Sequence, residues 1–331
     1  MSAQPIATVA ILTFNGETYL DRILGAVEAQ ELDGDVDILV IDSGSTDATL
    51  EIIARHPRVR LHRIPNTEFG HGKTRNLAAQ LATGEFVVYL THDAIPIGPH
   101  WLREMLRPFS LSDRVVAVTG KQVPRPGCFP LLKYEIQGVF RGLGSDLGVT
   151  LTTHDPGDPE DGLLDARAFY SDVNSVARRE FLLSTIPYRD VPYAEDQLFG
   201  RDVLLAGWAK AYAPLGAVEH SNDLTLAEYE RRIFDETVGL RQIGRAMTPI
   251  RSKDRLRGTV RGIIGDSARI VRDRELSRKR RLYWLVINPA YHVAKWRALA
   301  RATTVDLNDS AALSAASLEA ERKRRAVESA G

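Results

Sequence analysis

The sequence predicts an α/β fold with a mostly parallel central sheet flanked by helices, followed by a C-terminal helical extension. Within the first hundred residues, short apolar runs alternate with amphipathic segments of about a dozen residues, a pattern typical of βαβ units. The apolar runs end in polar, loop-forming residues, as strands do at the ligand-binding edge of a parallel sheet. From residue 225 onward the pattern indicates helices.

Four strands and three helices are predicted in order along the first part of the chain. The strands cover residues 8–14, 37–42, 59–64 and 85–90, and the helices cover residues 17–30, 45–56 and 72–83. Apolar residues at positions 20, 23, 24 and 27 share one face of the first helix. The second helix begins at Ser45 or Thr46, which favour N-cap positions, and Gly84 ends the third.

The later elements are less regularly spaced. A strand is predicted at 115–126, a helix at 193–208, and a last strand with its exit at 211–223. Residues 141–166 are rich in Gly, Asp, Thr and Pro, which predicts a long loop that is either a mobile lid or disordered.

The 331-residue chain has zero net charge, but the charge is unevenly distributed. Residues 1–250 carry 24 Lys or Arg against 34 Asp or Glu, a difference of −10, whereas residues 251–301 carry 15 against 4, a difference of +11. The asymmetry predicts separate roles for the two parts. Nucleic acid is not expected as a partner, because no recognised nucleic-acid-binding motif accompanies the basic segment.

The cysteine content and the N-terminal region indicate the compartment. The single cysteine, Cys128, excludes an internal disulfide and fits a reducing environment. The opening "MSAQPIATVAILTF" has no basic region of the kind that begins a signal peptide. No apolar run approaches the roughly 20 residues that span a bilayer. We therefore expect a cytoplasmic protein.

Three predicted strands end in polar residues, at 13–15, 42–44 and 91–93. Because the carboxyl ends of parallel strands meet at one edge of a sheet, we expect these residues to line a single crevice. Asp93 either caps the following helix or takes part in this site, since Asp is common at N-caps. The helix that begins near "FGHG" places Lys73 and Arg75 where an anion could bind.

Five segments carry a resemblance to a known family: "ILTFNGETYLDRILGAVEAQ", "VIDSGSTDATLEI", "HGKTRNLA", "VVYLTHDAIP" and "AEDQLFGRDVLLAGW". In this order and at this spacing the sequence resembles the family 2 glycosyltransferases of the GT-A fold, over residues 6–222. The resemblance implies an inverting glycosyltransferase that takes a sugar from a nucleotide-diphosphate donor. Its first and second strand ends would bind the nucleotide through Thr13, Asn15 and Asp42. Lys73 or Arg75 would offset the charge of the diphosphate.

The resemblance also implies a divalent cation, Mg²⁺ or Mn²⁺, that bridges the donor diphosphate. The family's Asp-x-Asp falls on residues 91–93, where Thr91 replaces the first Asp and leaves Asp93 as the carboxylate ligand. One carboxylate with two phosphate oxygens is a workable set of ligands for either ion. His220 is either a further ligand, as the family often has there, or a plain surface histidine.

The acidic pair Glu195–Asp196 lies near the start of a predicted helix, where the helix dipole favours carboxylates. The resemblance implies a catalytic role instead, with Asp196 as the general base. Glu195 would then be an orienting residue rather than a reacting one. Asp172 and Asn174 could contact hydroxyl groups of the acceptor, although turn capping explains both residues equally well.

The chain is predicted to comprise a catalytic domain at 1–223, a basic amphipathic helical region at 224–302 and a polar, partly helical or disordered tail at 303–331. The basic region suits either an anionic membrane interface or packing against protein. The protein partner would be the catalytic domain or a second subunit of a homo-oligomer. Contact with a membrane would make the protein peripheral on the cytoplasmic face of the plasma membrane.

The segments "THDAIP" and "FGHGKTRN" are most similar to the branch of the family that includes bacterial rhamnosyltransferases. This similarity implies dTDP-rhamnose as donor and a growing cell-surface glycan, free or lipid-linked, as acceptor. A sugar-phosphate nucleotidyltransferase would carry a Gly-rich basic loop after the first strand, where "TFNGETY" has one glycine and no basic residue. A non-catalytic nucleotide-sugar-binding or scaffold protein stays open because of Thr91. An NAD-dependent enzyme is not expected, because no Gly-x-Gly-x-x-Gly motif follows the first strand.

Overall fold

The computed structural model describes residues 4–155, 157–158, 162–222, 224–322 and 324, which form two compact units. The first unit comprises Met1–Pro126 and Ile136–Ser221, and the second comprises Gly127–Glu135 and Asn222–Gly331. The predicted domain boundary near residue 223 differs from this division mainly at residues 127–135, which group with the C-terminal helices.

The first unit is built on one sheet whose strands are β1 (Ala7–Thr13), β2 (Val36–Asp42), β3 (Val59–Arg63), β4 (Phe86–Thr91), β5 (Ile95–Pro96), β6 (Val115–Val123), β7 (Thr150–Thr152), β8 (Asn174–Arg178) and β9 (Ala209–Glu219). The strand order is β3-β2-β1-β4-β8-β6-β9-β5, and β7 pairs with β9. The predicted α/β fold is thus present, with a sheet of mixed direction.

The mixed direction determines which loops meet. Strands β1, β2, β3 and β4 pair in parallel, and Thr13 is in register with Asp42 while Leu12 is in register with Thr91. Strand β8 runs antiparallel between β4 and β6, with Asn174 opposite Leu90. The residues that precede β8 therefore lie at the same edge as the residues that follow β1, β2 and β4.

Helices cover both faces of this sheet: α1 (Leu20–Glu28), α2 (Thr49–Ala54), α3 (His71–Leu81), α4 (Trp101–Leu106), α5 (Pro130–Leu143, which begins in the second unit), α6 (Gly162–Arg167), α7 (Arg179–Ser184) and α8 (Glu195–Leu205). Val9 and Ile11 of β1 pack in one apolar core with α1, whereas Ala10 packs in a second core with α3. Successive strand side chains point to opposite faces, so a strand buried on both faces has a continuous apolar sequence.

Several predicted elements differ from the observed ones. The second helix was predicted from residue 45 but begins at Thr49, because residues 43–45 form a turn around the carboxylate of Asp42. The predicted loop at 141–166 contains β7, the end of α5 and part of α6, so it is not one structureless segment. Residues 156 and 159–161 of that loop lie outside the described residues.

The second unit contains α9 (Leu226–Gln242), α10 (Ser252–Arg272), α11 (Arg278–Thr304) and α12 (Ser310–Ala316). Helix α9 begins with a capping box between Thr225 and Glu228, which satisfies backbone N–H groups of the first turn. Helix α11 continues through Pro289 without a break. No helix among the described residues is long and apolar enough to cross a membrane.

Candidate active site

The loops that follow β1 and β2 are tied together at the sheet edge. The fully buried carboxylate of Asp42 accepts hydrogen bonds from the backbone N–H groups of Gly44 and Ser45 at 3.1 and 3.2 Å, and from the Ser45 hydroxyl. The backbone N–H of Asn15 donates to Ser45 Oγ at 2.8 Å, and Asn15 Oδ1 accepts from Thr46 N–H at 2.9 Å. Of these groups, the side chain of Asn15 is exposed in the crevice.

The end of β1 is tightly packed. The hydroxyl of Thr13 is buried and has no hydrogen-bond partner among the described residues. A Cβ atom at Gly16 would lie only 2.5 Å from this oxygen and 3.3 Å from His92 Cβ, so a larger residue would displace one of the two loops. The Thr13 carbonyl accepts from Ser43 N–H at 3.0 Å, which joins the two strand ends. Thr13 and Asp42 are thus buried where the ends of β1 and β2 are joined.

Asp93 and His220 form a pair at the ends of β4 and β9. Asp93 Oδ2 lies 3.3 Å from His220 Nε2, and Thr91 Oγ donates to Asp93 Oδ1 at 2.7 Å. Thr91 stands where the family has the first Asp of its Asp-x-Asp, and it donates a hydrogen bond to Asp93, the second. Burial alone would raise the pKa of Asp93, but the His220 imidazole and the Thr91 hydroxyl hold that pKa well below its usual range.

The orientation of His220 suits a divalent cation. His220 Nδ1 lies 2.9 Å from Gln122 Oε1, and Gln122 Nε2 donates to Ser171 Oγ at 3.0 Å, which fixes the direction of the amide. With Gln122 Oε1 as the acceptor, His220 Nδ1 carries a proton, and Nε2 is the ring nitrogen that faces Asp93. A histidine anchored through its other nitrogen is typical of a metal ligand.

Arg75 is buried inside the site rather than exposed at a phosphate-binding surface. Its Nε lies 2.8 Å from Asp172 Oδ2, and its Nη1 contacts the carboxylate of Glu195. Burial alone would lower the pKa of Arg75, but these two carboxylates raise it above its ordinary value. Lys73, two residues earlier on α3, is exposed. Of the two cations predicted to face the diphosphate, Lys73 is therefore the one with an accessible side chain.

Asp172 and Asn174 are buried and bonded within the protein. Asp172 Oδ1 accepts from the hydroxyls of Ser175 and Tyr188 at 2.5 and 2.8 Å, in addition to its contact with Arg75. Asn174 Nδ2 donates to the Gly216 carbonyl at 2.7 Å, and its Oδ1 accepts from Trp101 Nε1 at 3.1 Å. The polar atoms of both side chains therefore have hydrogen-bond partners inside the protein core. The structure does not support their predicted contact with an acceptor.

Asp196, at the start of α8, is partly exposed. It follows Ala194, whose φ of 60° is left-handed, and its Oδ1 accepts from Gln197 N–H at 2.7 Å. Burial of the carboxyl, together with the neighbouring charges of Glu195 and Asp172, raises the pKa of Asp196 well above its usual range. A raised pKa makes a carboxylate a stronger proton acceptor near neutral pH.

The carboxyl oxygens of Asp172, Glu195 and Asp196 lie within 4.8 Å of one another. Such a cluster could hold a metal ion, but the guanidinium of Arg75 already contacts two of its three members. Because this cation offsets their charge, the cluster has a resident counter-ion. Asp93 with His220 is therefore the better candidate for a divalent cation.

A chain of contacts links the candidate cation ligands to the candidate base. Asp93 Oδ2 lies 3.3 Å from His220 Nε2, and hydrogen bonds continue from His220 Nδ1 through Gln122 to Ser171. The next residue, Asp172, donates its backbone N–H to Asp196 Oδ2 at 3.4 Å. In the same region the backbone N–H of Thr91 donates to the carbonyl oxygen of Val173 at 3.4 Å. The loops that carry the candidate cation ligands and the candidate base are thus joined by direct contacts.

Residues 8–144 match the family model described as Glycosyl transferase family 2. Residues 8–144 therefore have the sequence pattern of a family 2 glycosyltransferase domain. The match includes the first two strand ends, the helix with Lys73 and Arg75, and residues 91–93, while Asp196 and His220 lie beyond it. The predicted enzyme class, a glycosyltransferase, is confirmed.

Two curated relatives of this glycosyltransferase are rhamnosyltransferases by name. The O-antigen chain rhamnosyltransferase RfbN of Salmonella typhimurium is 27% identical over 240 residues, which cover 70% of this chain and 71% of the relative. The O-antigen chain rhamnosyltransferase WbaN of Salmonella anatum is 29% identical over 210 residues, which cover 61% of each chain. The second alignment thus spans less than two thirds of that relative's length.

A solved structure shows the same fold. The mannosyltransferase PcManGT from Pyrobaculum calidifontis, solved in complex with GDP-Man and Mn²⁺, matches with a TM-score of 0.53 over 99% of this chain and 80% of that chain. At 20% sequence identity, the likeness shows the fold alone. The GT-A fold predicted for this glycosyltransferase is confirmed.

Reasoning from the sequence missed one residue that organises the glycosyltransferase site. Arg125, which follows β6, contacts the carbonyl oxygens of Asp93 and Ser221 through its two terminal nitrogens. Its guanidinium also lies 3.9 Å from the centre of the Tyr19 ring. Arg125 therefore holds three loops, including the two that carry Asp93 and His220. An arginine between two prolines directly after a buried strand was the signal that could have revealed it.

Proposed function

We propose that the protein is an inverting rhamnosyltransferase, which transfers rhamnose from dTDP-rhamnose to a hydroxyl group of a cell-surface glycan or lipid-linked acceptor. The names of the two curated relatives support rhamnose as the sugar. The observation that supports the reaction type is the chain of contacts that links Asp93 and His220 to Asp196.

In the proposed reaction Asp196 accepts the proton of the acceptor hydroxyl. The acceptor oxygen then forms a bond to the anomeric carbon, and the bond from that carbon to the diphosphate oxygen breaks. Its electron pair leaves with the diphosphate on the opposite face, so one displacement inverts the configuration. Glu195 does not take the proton in this scheme, because its carboxylate is held by Arg75. It positions the first turn of α8.

Asp93 and His220 are the residues that would hold a divalent cation, Mg²⁺ or Mn²⁺. When bound, such an ion supplies positive charge that stabilises the leaving diphosphate. The exposed side chains of Lys73 and Asn15 are proposed to contact the donor, and buried Asp42 is proposed to act through the turn that it fixes. The donor would be used in the cytoplasm, with lipid-linked acceptors reached at the membrane surface.

A donor panel tests this function. Purified protein with Mn²⁺ is incubated with dTDP-rhamnose, UDP-glucose, UDP-N-acetylglucosamine and GDP-mannose, and slow donor hydrolysis is followed with thermal stabilisation. We expect the largest stabilisation and hydrolysis with dTDP-rhamnose, and hydrolysis at background level for Asp196→Asn. A response to GDP-mannose alone would remove rhamnose from the proposal.

An added reaction with dTTP and a sugar 1-phosphate, together with the Asp196→Asn comparison, separates the two rival functions. A nucleotidyltransferase would form a nucleotide sugar and pyrophosphate from dTTP and a sugar 1-phosphate, so production of pyrophosphate would overturn the proposal. A non-catalytic binding protein would be stabilised by donors but would show equal hydrolysis for wild type and Asp196→Asn.

A further inference from the structure

Helices α10 and α11 of the second unit each expose a row of large apolar side chains. The rows consist of Leu256, Val260, Ile264 and Val271 on α10, and Leu282, Tyr283, Val286 and Val293 on α11. Each of these side chains is between 46% and 70% exposed. We call these eight residues the apolar face. Single exposed apolar residues are ordinary, but a row of large apolar side chains that share one exposed face indicates an interaction site.

The apolar face is not the contact surface between the two helices, because that contact is made by other residues. A Cβ atom at Gly258 would lie 2.1 Å from the ring of Trp296, and one at Gly262 would lie 2.4 Å from the ring of His292. His292 Nε2 lies 3.0 Å from Asp266 Oδ2. The helices therefore pack closely and run antiparallel, since residue numbers rise along α10 as they fall along α11.

Helical geometry places both rows on the same side of the pair. Counted from the α10 residues that contact α11, which are Gly258, Gly262, Ile263, Asp266 and Ser267, the row on α10 is centred about 120° around the helix axis, at 3.6 residues per turn. The row on α11 is centred about 120° from the residues that face α10, in the same rotational sense. In an antiparallel pair, similar rotations of the same sense point to the same side. The eight residues thus form one face.

The charges around this face are strongly positive. Residues 251–301 carry 15 basic against 4 acidic residues, and each of the four acidic side chains has a basic partner: Asp254 with Arg251, Asp266 with Arg269 and His292, Asp273 with Lys133, and Glu275 with Lys133. Arg257, Arg261 and Arg272 border the row on α10. None of these three arginines has a carboxylate partner among the described contacts.

We propose that the apolar face of α10 and α11 docks on an anionic lipid surface, with its apolar side chains in the interface and its arginines among the headgroup phosphates. Helices of this kind combine an apolar face with a basic border and lie in the plane of the interface. A second copy bound through the same face would bring two basic segments together, which is unfavourable. Nucleic acid would use the arginines but would leave the apolar side chains exposed. This inference does not depend on the identity of the donor sugar.

Vesicle co-sedimentation of the full-length protein tests the proposal. The vesicles contain phosphatidylcholine alone or phosphatidylcholine with about 30% phosphatidylglycerol, and binding is measured in low and high salt. We expect binding to the anionic vesicles at least tenfold tighter than to the neutral ones, with a loss in high salt because surface electrostatics are screened. The double variants Ile264→Ser with Val286→Ser, and Arg257→Gln with Arg261→Gln, should each weaken binding about tenfold.

A matched control uses exposed leucines of the first unit. Leu61→Ser with Leu111→Ser removes the same kind of side chain at positions that are 42% and 52% exposed, and it should bind vesicles like wild type. Circular dichroism and donor hydrolysis without vesicles show whether each variant is folded and active, which separates this proposal from the proposed function.

Three results would overturn the membrane proposal. They are equal binding to neutral and anionic vesicles, wild-type binding by Ile264→Ser with Val286→Ser, and the absence of any binding. If the full-length protein is a dimer in light scattering, binds no vesicles, and becomes monomeric in that apolar double variant, the face is an interface between copies instead.

Discussion

Arg75 Nε lies 2.8 Å from the carboxylate of Asp172, so a residue expected to face a phosphate is instead the counter-ion of a buried acid. The same guanidinium contacts Glu195, which joins α3, the residues before β8 and the start of α8. Buried charges are stable only when they are paired and hydrogen-bonded. This cation therefore permits several carboxylates to remain together beside the candidate base.

Replacing Arg75 should destabilise the protein strongly. Arg75→Gln leaves Asp172 and Glu195 buried without a counter-charge, so we expect a loss of about 3–5 kcal/mol in the free energy of unfolding. Arg75→Lys keeps the charge but cannot contact both carboxylates as a planar fork, and its loss should be smaller. Urea unfolding followed by circular dichroism measures both.

The control for Arg75 is a surface ion pair. Arg55 contacts Asp21 at 2.8 Å, and both side chains are largely exposed, so Arg55→Gln should leave the free energy of unfolding nearly unchanged. Similar unfolding midpoints for Arg75→Gln and Arg55→Gln would show that Arg75 is not the electrostatic centre of the site.

Asp196→Asn should lower turnover without unfolding the protein. An amide of the same shape cannot accept the proton of an acceptor hydroxyl, so we expect kcat to fall about 10²- to 10⁴-fold, with little change in the KM for the donor. Stability should be equal to that of wild type or higher, because the raised pKa of Asp196 shows that its ionised form is disfavoured in the fold.

A second aspartate on the same helix provides the comparison. Asp202 is held by Arg189 at 2.8 Å, and Asp202→Asn should retain turnover within about twofold. An Asp196→Asn variant that retains the wild-type kcat would assign the proton transfer to another group.

The pH dependence of activity follows from the raised pKa of Asp196. Because Asp196 must be ionised to act as a base, kcat/KM should rise with pH, with a midpoint above the value of about 4 for an ordinary aspartate. The contribution of Asp196 to folding stability has the opposite pH dependence to its contribution to activity. A carboxyl whose folded pKa is raised contributes stability that is complete below its unfolded pKa and is lost as the pH rises through the folded pKa.

Asp196→Asn separates these two effects. As the pH rises above about 4, the ordinary pKa of an aspartate, the variant should lose less unfolding free energy than wild type, because it has no carboxyl to ionise at this position. Urea midpoints at a series of pH values measure the difference, and initial rates measure the activity profile. An unchanged acidic limb in the residual activity of the variant would assign the titration elsewhere.

The strands and their meeting point could be predicted from the sequence because their signals are local. A strand buried on both faces, such as β1 or β4, is a continuous apolar run, and the residue after it belongs to the edge where parallel strands end. Thr13 is accordingly in register with Asp42, and Thr91 is in register with Leu12.

The remainder depends on contacts between distant parts of the chain. Nothing in the local pattern of residues 174–178 shows that β8 lies antiparallel between β4 and β6, and this insertion brings Asp172 and Asn174 into the core. The partners of Arg75 are likewise about one hundred residues away in sequence. Local pattern indicated polar residues at the site but could not show which of them are buried.

The orientation of His220 yields a test of the cation site. His220→Asn removes the nitrogen that faces Asp93, and Gln122→Leu removes the carbonyl that orients the ring. Loss of an orienting partner typically costs 10- to 100-fold in metal affinity, so Gln122→Leu should weaken Mn²⁺ binding within that range and His220→Asn by at least as much. Mn²⁺ titration monitored by electron paramagnetic resonance reports this without any turnover. Unchanged affinity in both variants would place the cation elsewhere.

Arg125→Lys tests whether one buried side chain holds the loops of Asp93 and His220 together. A lysine keeps the charge but cannot contact the carbonyls of Asp93 and Ser221 at once, nor stack flat on Tyr19. We expect weaker Mn²⁺ binding and a KM for the donor raised about tenfold, with a smaller change in kcat, because the loops lose their fixed spacing while Asp196 is untouched.

Arg114→Lys is the matched control, since Arg114 donates to the Gly207 carbonyl at 2.6 Å at the opposite end of β6. A role confined to stability would lower the unfolding midpoint of Arg125→Lys and leave its Mn²⁺ affinity and donor KM equal to those of Arg114→Lys. Changes in affinity and KM at an unchanged unfolding midpoint would instead show that Arg125 positions the two cation ligands.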